Sequence, residues 1–166
     1  MSAMIRLTRE EELVAAAAGL ARESRFSSNP KFVGDKGNLH NAVMIHAEAV
    51  GAEIAVAKYF NIEDFHPTVN TFKNEPDIAM FSGLGLEVKQ TKYVGGSLII
   101  HEDDRDTDIA VLVTGISPTY TIRGWIPVSV CKKPKYQASD GSYWVTQVNL
   151  LPIENLLRSV YGQAKA

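Results

Sequence analysis

The run Ile109-Ala-Val-Leu-Val-Thr114 restricts the fold more than any other part of this chain. Its apolar residues are consecutive rather than alternating, the pattern of a strand in the middle of a sheet with material packed on both faces. Ser117-Pro118-Thr119 marks a turn, and Tyr120-Thr-Ile-Arg-Gly-Trp-Ile-Pro-Val128 returns as the second arm of a hairpin. A chain of 166 residues that is 45% hydrophobic and 22% charged has apolar side chains enough for one core, and residues 1–166 read as one domain.

Helical signals fill the first third. Thr8 and Glu11 form a capping box, and the alanine-rich run after them predicts a helix to about Arg22. Residues 24–38, rich in Ser, Asn and Gly with Pro30, read as a polar, mobile connector. A second, long helix is predicted from about Leu39 to Phe60 on an apolar stripe of Leu39, Val43, Ala47, Val50, Ile54 and Ala57. His46 and Glu53 fall inside that stripe. Glu48 falls on the polar arc with Asn41, Met44 and Lys58 and reads as a solvated acid. Further strands are expected at Ser97–Ile100 and Tyr143–Val148, and a closing helix at Pro152–Tyr161 with its proline near the first turn. The expectation is an α+β fold, a mixed central sheet of about five or six strands flanked by helices.

Chemistry enters with Pro76-Asp77-Ile-Ala-Met-Phe-Ser-Gly-Leu-Gly-Leu-Glu87-Val-Lys89. Gly83 and Gly85 are expected to supply the positive φ of a tight turn between two short strands. Strand alternation puts Glu87, Lys89 and Thr91 on one face and Leu86 and Val88 on the other, and the hairpin brings Asp77 to the first group. Carboxylates ligate hard divalent cations such as magnesium, which keeps several waters and also binds phosphate. Such a metal polarises a phosphoryl oxygen and lowers the pKa of a bound water. The lysine has two roles open to it, positioning or deprotonating the attacking water, or stabilising the phosphorane by its charge. Such a set is suited to phosphodiester hydrolysis. Alone, Glu87-Val-Lys89 is also what a solvated sheet face commonly carries. Glu53 adds weight, because an ionised carboxylate in an apolar stripe is costly unless a cation or hydrogen bonds compensate it, and a metal beside the hairpin would do so.

By these residues the chain resembles the PD-(D/E)XK nuclease superfamily. Pro76-Asp77 matches the first half of that signature and Glu87-Val88-Lys89 the second, while Gly51-Ala-Glu53-Ile-Ala-Val-Ala-Lys-Tyr-Phe60 resembles the helix that precedes them and carries a further acid. The resemblance covers roughly residues 47–115 and points to compact nucleases encoded by phages and mobile elements, Holliday-junction resolvases among them. It implies a restriction-endonuclease-like core, with Asp77, Glu87 and the Val88 carbonyl as ligands of Mg2+, for which Mn2+ can substitute. It implies Lys89 as the catalytic lysine, Glu53 as a ligand or an orienter of metal-bound water, and Gln90 as the polar residue that often follows the lysine. The implied activity is that of a metal-dependent DNA endonuclease, with branched or recombination-intermediate DNA a candidate substrate. A DNA exonuclease, and a non-catalytic nucleic-acid-binding or assembly protein with the same fold, are the alternatives. The chain departs from the family where a helix normally follows the third core strand, since only a turn separates Thr114 from Tyr120.

A net charge of -2 and a pI near 6.1 make any contact with DNA a local one. Lys73, Lys92 and Tyr93 flank the hairpin with Gln90, Arg25, Lys31 and Lys36 decorate the connector, and Lys132, Lys133 and Lys135 with Tyr136 form the densest basic cluster. A homodimer would enlarge this footprint and suits cutting both strands of a duplex or junction. Asp104-Arg-Asp106-Thr-Asp108 starts like a calcium loop, but Ile109 and Gly115 stand where that loop needs glycine and glutamate. It reads as a solvated acidic loop facing away from DNA. Cys131, the single cysteine, reads as an inert filler. The longest apolar run, Leu13 to Ala21, is nine residues, against about 20 needed to cross a bilayer. With no export signal at its start, the chain is expected in the cytoplasm of a bacterial or phage-infected cell.

Overall fold

The computed structural model describes residues 2–27, 38–69, 74–80 and 82–163. Along the chain these form β1 (Ala3–Arg6), α1 (Arg9–Ser27), α2 (Leu39–Tyr59), β2 (Ile78–Ala79), β3 (Gly85–Thr91), β4 (Leu98–Ile100), β5 (Ile109–Ile116), β6 (Thr119–Pro127), α3 (Val128–Cys131) and β7 (Tyr143–Val145). The main sheet has the order β1-β6-β5-β3-β2, and β4 and β7 pair separately. β3 and β5 run parallel while every other neighbouring pair is antiparallel, so the sheet is mixed and the fold is α+β. No helix among the described residues is long and apolar enough to cross a membrane.

β5 occupies the position its unbroken apolar run demands. Ile109, Val111 and Val113 point into a core shared with α1 and α2, and Ala110 and Leu112 point into a second core with Leu98, Ile100, Val128, Tyr143 and Val145. The second face is therefore covered by the small β4–β7 sheet and by α3. The expected helix at Pro152–Tyr161 does not form. Ile153–Asn155 make one 3-10 turn, Ile153 and Leu156 enter the helix-side core, and turns follow. Trp125 accounts for this, exchanging backbone hydrogen bonds with Leu151 and donating its indole N–H to the Pro152 carbonyl at 2.9 Å. Those bonds hold the segment as a strap across β6.

The Thr8 capping box forms in both directions, with Thr8 N–H donating to Glu11 Oε1 at 2.8 Å and Glu11 N–H to Thr8 Oγ1 at 3.2 Å. α1 continues past Arg22 to Ser27, and α2 starts at Leu39 as expected, after the N-cap Asn38, whose side chain accepts the Asn41 N–H. The expected connector is thus shortened at its start by α1, and residues 28–37 lie outside the described residues. The apolar stripe of α2 is buried at Val50, Ile54 and Ala57, but Leu39 at its start is 63% exposed. Glu48 is not simply solvated. It accepts hydrogen bonds from the Ser117 N–H at 3.0 Å and the Tyr120 hydroxyl at 2.7 Å, joining α2 to the β5–β6 turn.

Candidate active site

The expected hairpin forms, with Ile78 opposite Leu86 and Ala79 opposite Gly85, which carried one residue on sets Asp77 opposite Glu87. β2 is only two residues long, and only one of the two glycines has the expected conformation. Gly83 has φ +80° and closes the turn, its N–H bonding the Met80 carbonyl at 2.9 Å. Gly85 serves close approach instead, since a Cβ there would collide with the Asp108 carboxylate and come within 2.9 Å of Pro76 Cβ.

Leu86 and Val88 face the helix-side core, leaving Glu87 and Lys89 on the opposite face. Asp77 is tied to the strand between them, its Oδ2 accepting the Val88 N–H at 2.8 Å. Lys89 Nζ lies 2.9 Å from Glu87 Oε1 and 3.0 Å from Asp104 Oδ1. Nothing in the local sequence marks Asp104 for this contact. Two acids of the loop expected to be solvated turn inward instead, Asp104 at 2% and Asp108 at 1% exposed, while Glu102, Asp103 and Asp106 remain exposed. Asp108 directly precedes the buried run of β5 and packs against Gly85, and neither of its carboxylate oxygens has a hydrogen bond. Arg105 Nε stands 3.6 Å from Asp108, while Arg105 Nη1 donates to the Asn74 carbonyl at 2.9 Å, linking the loop to the segment that leads into Asp77. Position beside a strand buried on both faces was the one signal that could have marked Asp108.

Glu53 is 3% exposed, as its place in the stripe implies, but its compensating cation is a side chain. Arg22 donates Nη1 and Nη2 to the two Glu53 oxygens at 2.9 Å each and Nε to the Thr68 carbonyl at 2.7 Å. A signal for Arg22 existed, because Ala15, Ala18 and Arg22 recur at i, i+3 and i+7 and so share the buried face of α1. His46 likewise has a partner on α1, with Nε2 2.9 Å from Glu23 Oε2.

The charges of these groups act on one another. Burial, then the charges of Glu53 and Glu87, push the Asp77 carboxyl up to about 8, against the lowering effects of the Val88 N–H and Lys89. Burial also raises Glu53, with Arg22 opposing and Glu87 reinforcing, and it raises Asp108, with Arg105 opposing and Glu87 and Asp104 reinforcing. Among the described residues, no group of three or more His, Cys, Asp or Glu side chains is placed to hold a metal ion. The donors at Asp77 and Glu87 are nevertheless hard oxygens, and the charges of Glu53 and Glu87, which add to burial in raising Asp77, are ones a divalent cation would offset. Two carboxylates suit magnesium, which keeps most of its own waters.

The proposed DNA contacts divide. Lys92, Lys133 and Lys135 are exposed, and Lys92 and Lys135 lie over the rings of Tyr93 and Tyr136 at 5.2 and 4.8 Å. Gln90 is held by the Gly115 carbonyl at 2.8 Å. Lys132 points inward, and its side chain is 13% exposed. Lys73, Lys31 and Lys36 lie outside the described residues. Comparison with known proteins finds no matching family model, no matching curated protein and no matching solved structure.

Proposed function

We propose that this chain is a metal-dependent DNA endonuclease of the PD-(D/E)XK type. The observation that carries the reading is the convergence of Asp77, Glu87 and Lys89 at one hairpin, with Asp77 bonded to the peptide N–H between the other two. Asp77 and Glu87, with the Val88 carbonyl, would hold Mg2+ or Mn2+. When bound, that ion supplies charge neutralisation at the phosphate and a more acidic water.

The chain's own residues supply the rest. Lys89, directed by contacts to Glu87 Oε1 and Asp104 Oδ1, would stabilise charge developing on the attacked phosphate. Glu53 orients rather than reacts, since Arg22 occupies both its oxygens, and its charge adds to burial in raising the Asp77 carboxyl.

The test is nicking of supercoiled plasmid by the full chain with magnesium or manganese, extended to single-stranded and four-way-junction DNA. Lys89→Ala should abolish nicking, a loss of at least about 100-fold, with the circular-dichroism spectrum unchanged. No cleavage of any of these substrates by the wild type, or undiminished cleavage by Lys89→Ala, would overturn the reading and leave the non-catalytic nucleic-acid-binding alternative.

A further inference from the structure

The inward turn of Asp104 needs a reason, because it adds a buried acid to a site already rich in them. Burying a carboxylate is unfavourable unless it is paired and hydrogen-bonded, and Asp104 meets both conditions. Its Oδ2 accepts the His101 N–H at 2.8 Å and its Oδ1 meets Lys89 Nζ at 3.0 Å. Neutralising Lys89 does not require it, since Glu87 on the same strand already lies 2.9 Å from that nitrogen. A second carboxylate from a different element adds direction. One contact leaves a long, flexible lysine free to swing about its partner, whereas two from separate segments locate the ammonium group.

The loop is itself held. Lys132, at the end of α3, donates Nζ to the carbonyls of Glu102 at 2.9 Å and Asp104 at 2.7 Å and pairs with Asp106 Oδ1 at 2.6 Å. Three oxygens of one loop thus converge on a mostly buried lysine, at the cost of that lysine's conformational freedom. We propose that Asp104 is a positioning residue that holds Lys89 in its working geometry, and that Lys132 is the clip that holds the loop carrying Asp104. The inference rests on the nuclease reading for its consequence in catalysis, while the clamp itself can be measured without it.

The experiment uses the full chain as wild type, Asp104→Asn, Lys132→Met, Lys132→Arg and Asp103→Asn, each checked for folding by circular dichroism. Asp103 is exposed, so its substitution removes the same charge from the same loop without touching Lys89. Two quantities are read, the kinetics of plasmid nicking in magnesium and the rate of Lys89 acetylation by an amine-reactive ester, followed by mass spectrometry with exposed Lys133 as internal standard. Asp104→Asn should lower kcat on the order of 10–100-fold, with KM for DNA changed less than about threefold, and should speed Lys89 acetylation at least about fivefold. Lys132→Met should move both in the same direction, Lys132→Arg should recover part of the loss, and Asp103→Asn should behave as wild type. An unchanged or faster kcat in Asp104→Asn, or unchanged Lys89 acetylation, overturns the proposal. If Asp104→Asn does not fold, the Lys132 pair decides by the same two readouts. If the wild type cleaves nothing, the nuclease reading fails, and acetylation alone decides whether Asp104 holds Lys89.

Discussion

Asp77 is half-buried where Glu53 and Glu87 already place negative charge, and its pKa of about 8 sets a sign for the pH dependence of stability. The folded chain keeps a proton on Asp77 over a range in which the unfolded chain has released it. Its contribution is therefore fully present below the ordinary aspartate pKa and is lost as pH rises through about 8. Asp77→Asn removes that linkage and retains an oxygen for the Val88 N–H. In urea unfolding without metal, the variant should exceed the wild type in stability by on the order of 1–3 kcal/mol near pH 8–9, and the gap should narrow towards pH 5. A gap that stays constant with pH would show that Asp77 does not titrate this way. Glu53 was legible at this scale because an acid in an apolar stripe must be compensated. The identity of the compensating group was not legible, since Arg22 is 31 positions away and meets Glu53 only once two helices pack.

Where α1 crosses α2, a glycine decides how closely the helices approach. A Cβ on Gly19 would lie 2.6 Å from the Ala47 amide nitrogen and 2.7 Å from its Cα, and backbone atoms cannot rotate aside. Alanine favours an isolated helix over glycine by about 1 kcal/mol, but forcing the helices apart costs typically 1–3 kcal/mol and disturbs the Arg22–Glu53 contact as well. Gly19→Ala should therefore lower stability by about 1–2 kcal/mol in thermal unfolding. A stabilised variant would show that helix propensity prevails over packing here. The capping box, the α2 boundaries and the two hairpins could be read from local sequence because each is determined by neighbours in the chain. The expected closing helix could not, because Trp125 captures Leu151 and Pro152 from a distant strand.

At the scale of the whole molecule, a net charge of -2 would leave the proposed DNA binding to a few exposed cations. Lys132 is taken out of that set by the acidic loop, while Lys133 and Lys135 remain at the surface of the same basic cluster. If both touch phosphate, Lys133→Ala with Lys135→Ala should reduce the slope of log binding constant against log salt by about 2, because each neutralised phosphate contributes roughly 0.9. Fluorescence anisotropy with a labelled duplex measures the slope, and an unchanged value removes this loop from the DNA footprint. The parallel β3–β5 pair also belongs to this scale. It requires a crossover, and residues 92–108 of that crossover carry both β4 and the acidic loop back over the face bearing Glu87 and Lys89.

Sequence alone determined the doubly covered central strand, the α+β class and the hairpin on which Asp77 meets Glu87 and Lys89. In each case periodicity or turn chemistry acts over a few neighbouring residues. Only the tertiary structure decided that Arg22 holds Glu53, that Asp104 grips Lys89, that Lys132 serves the loop instead of the surface and that a small sheet covers the second face of β5. Those outcomes depend on which distant segments pack together, and a charged loop carries the same local pattern whether it faces water or a buried lysine.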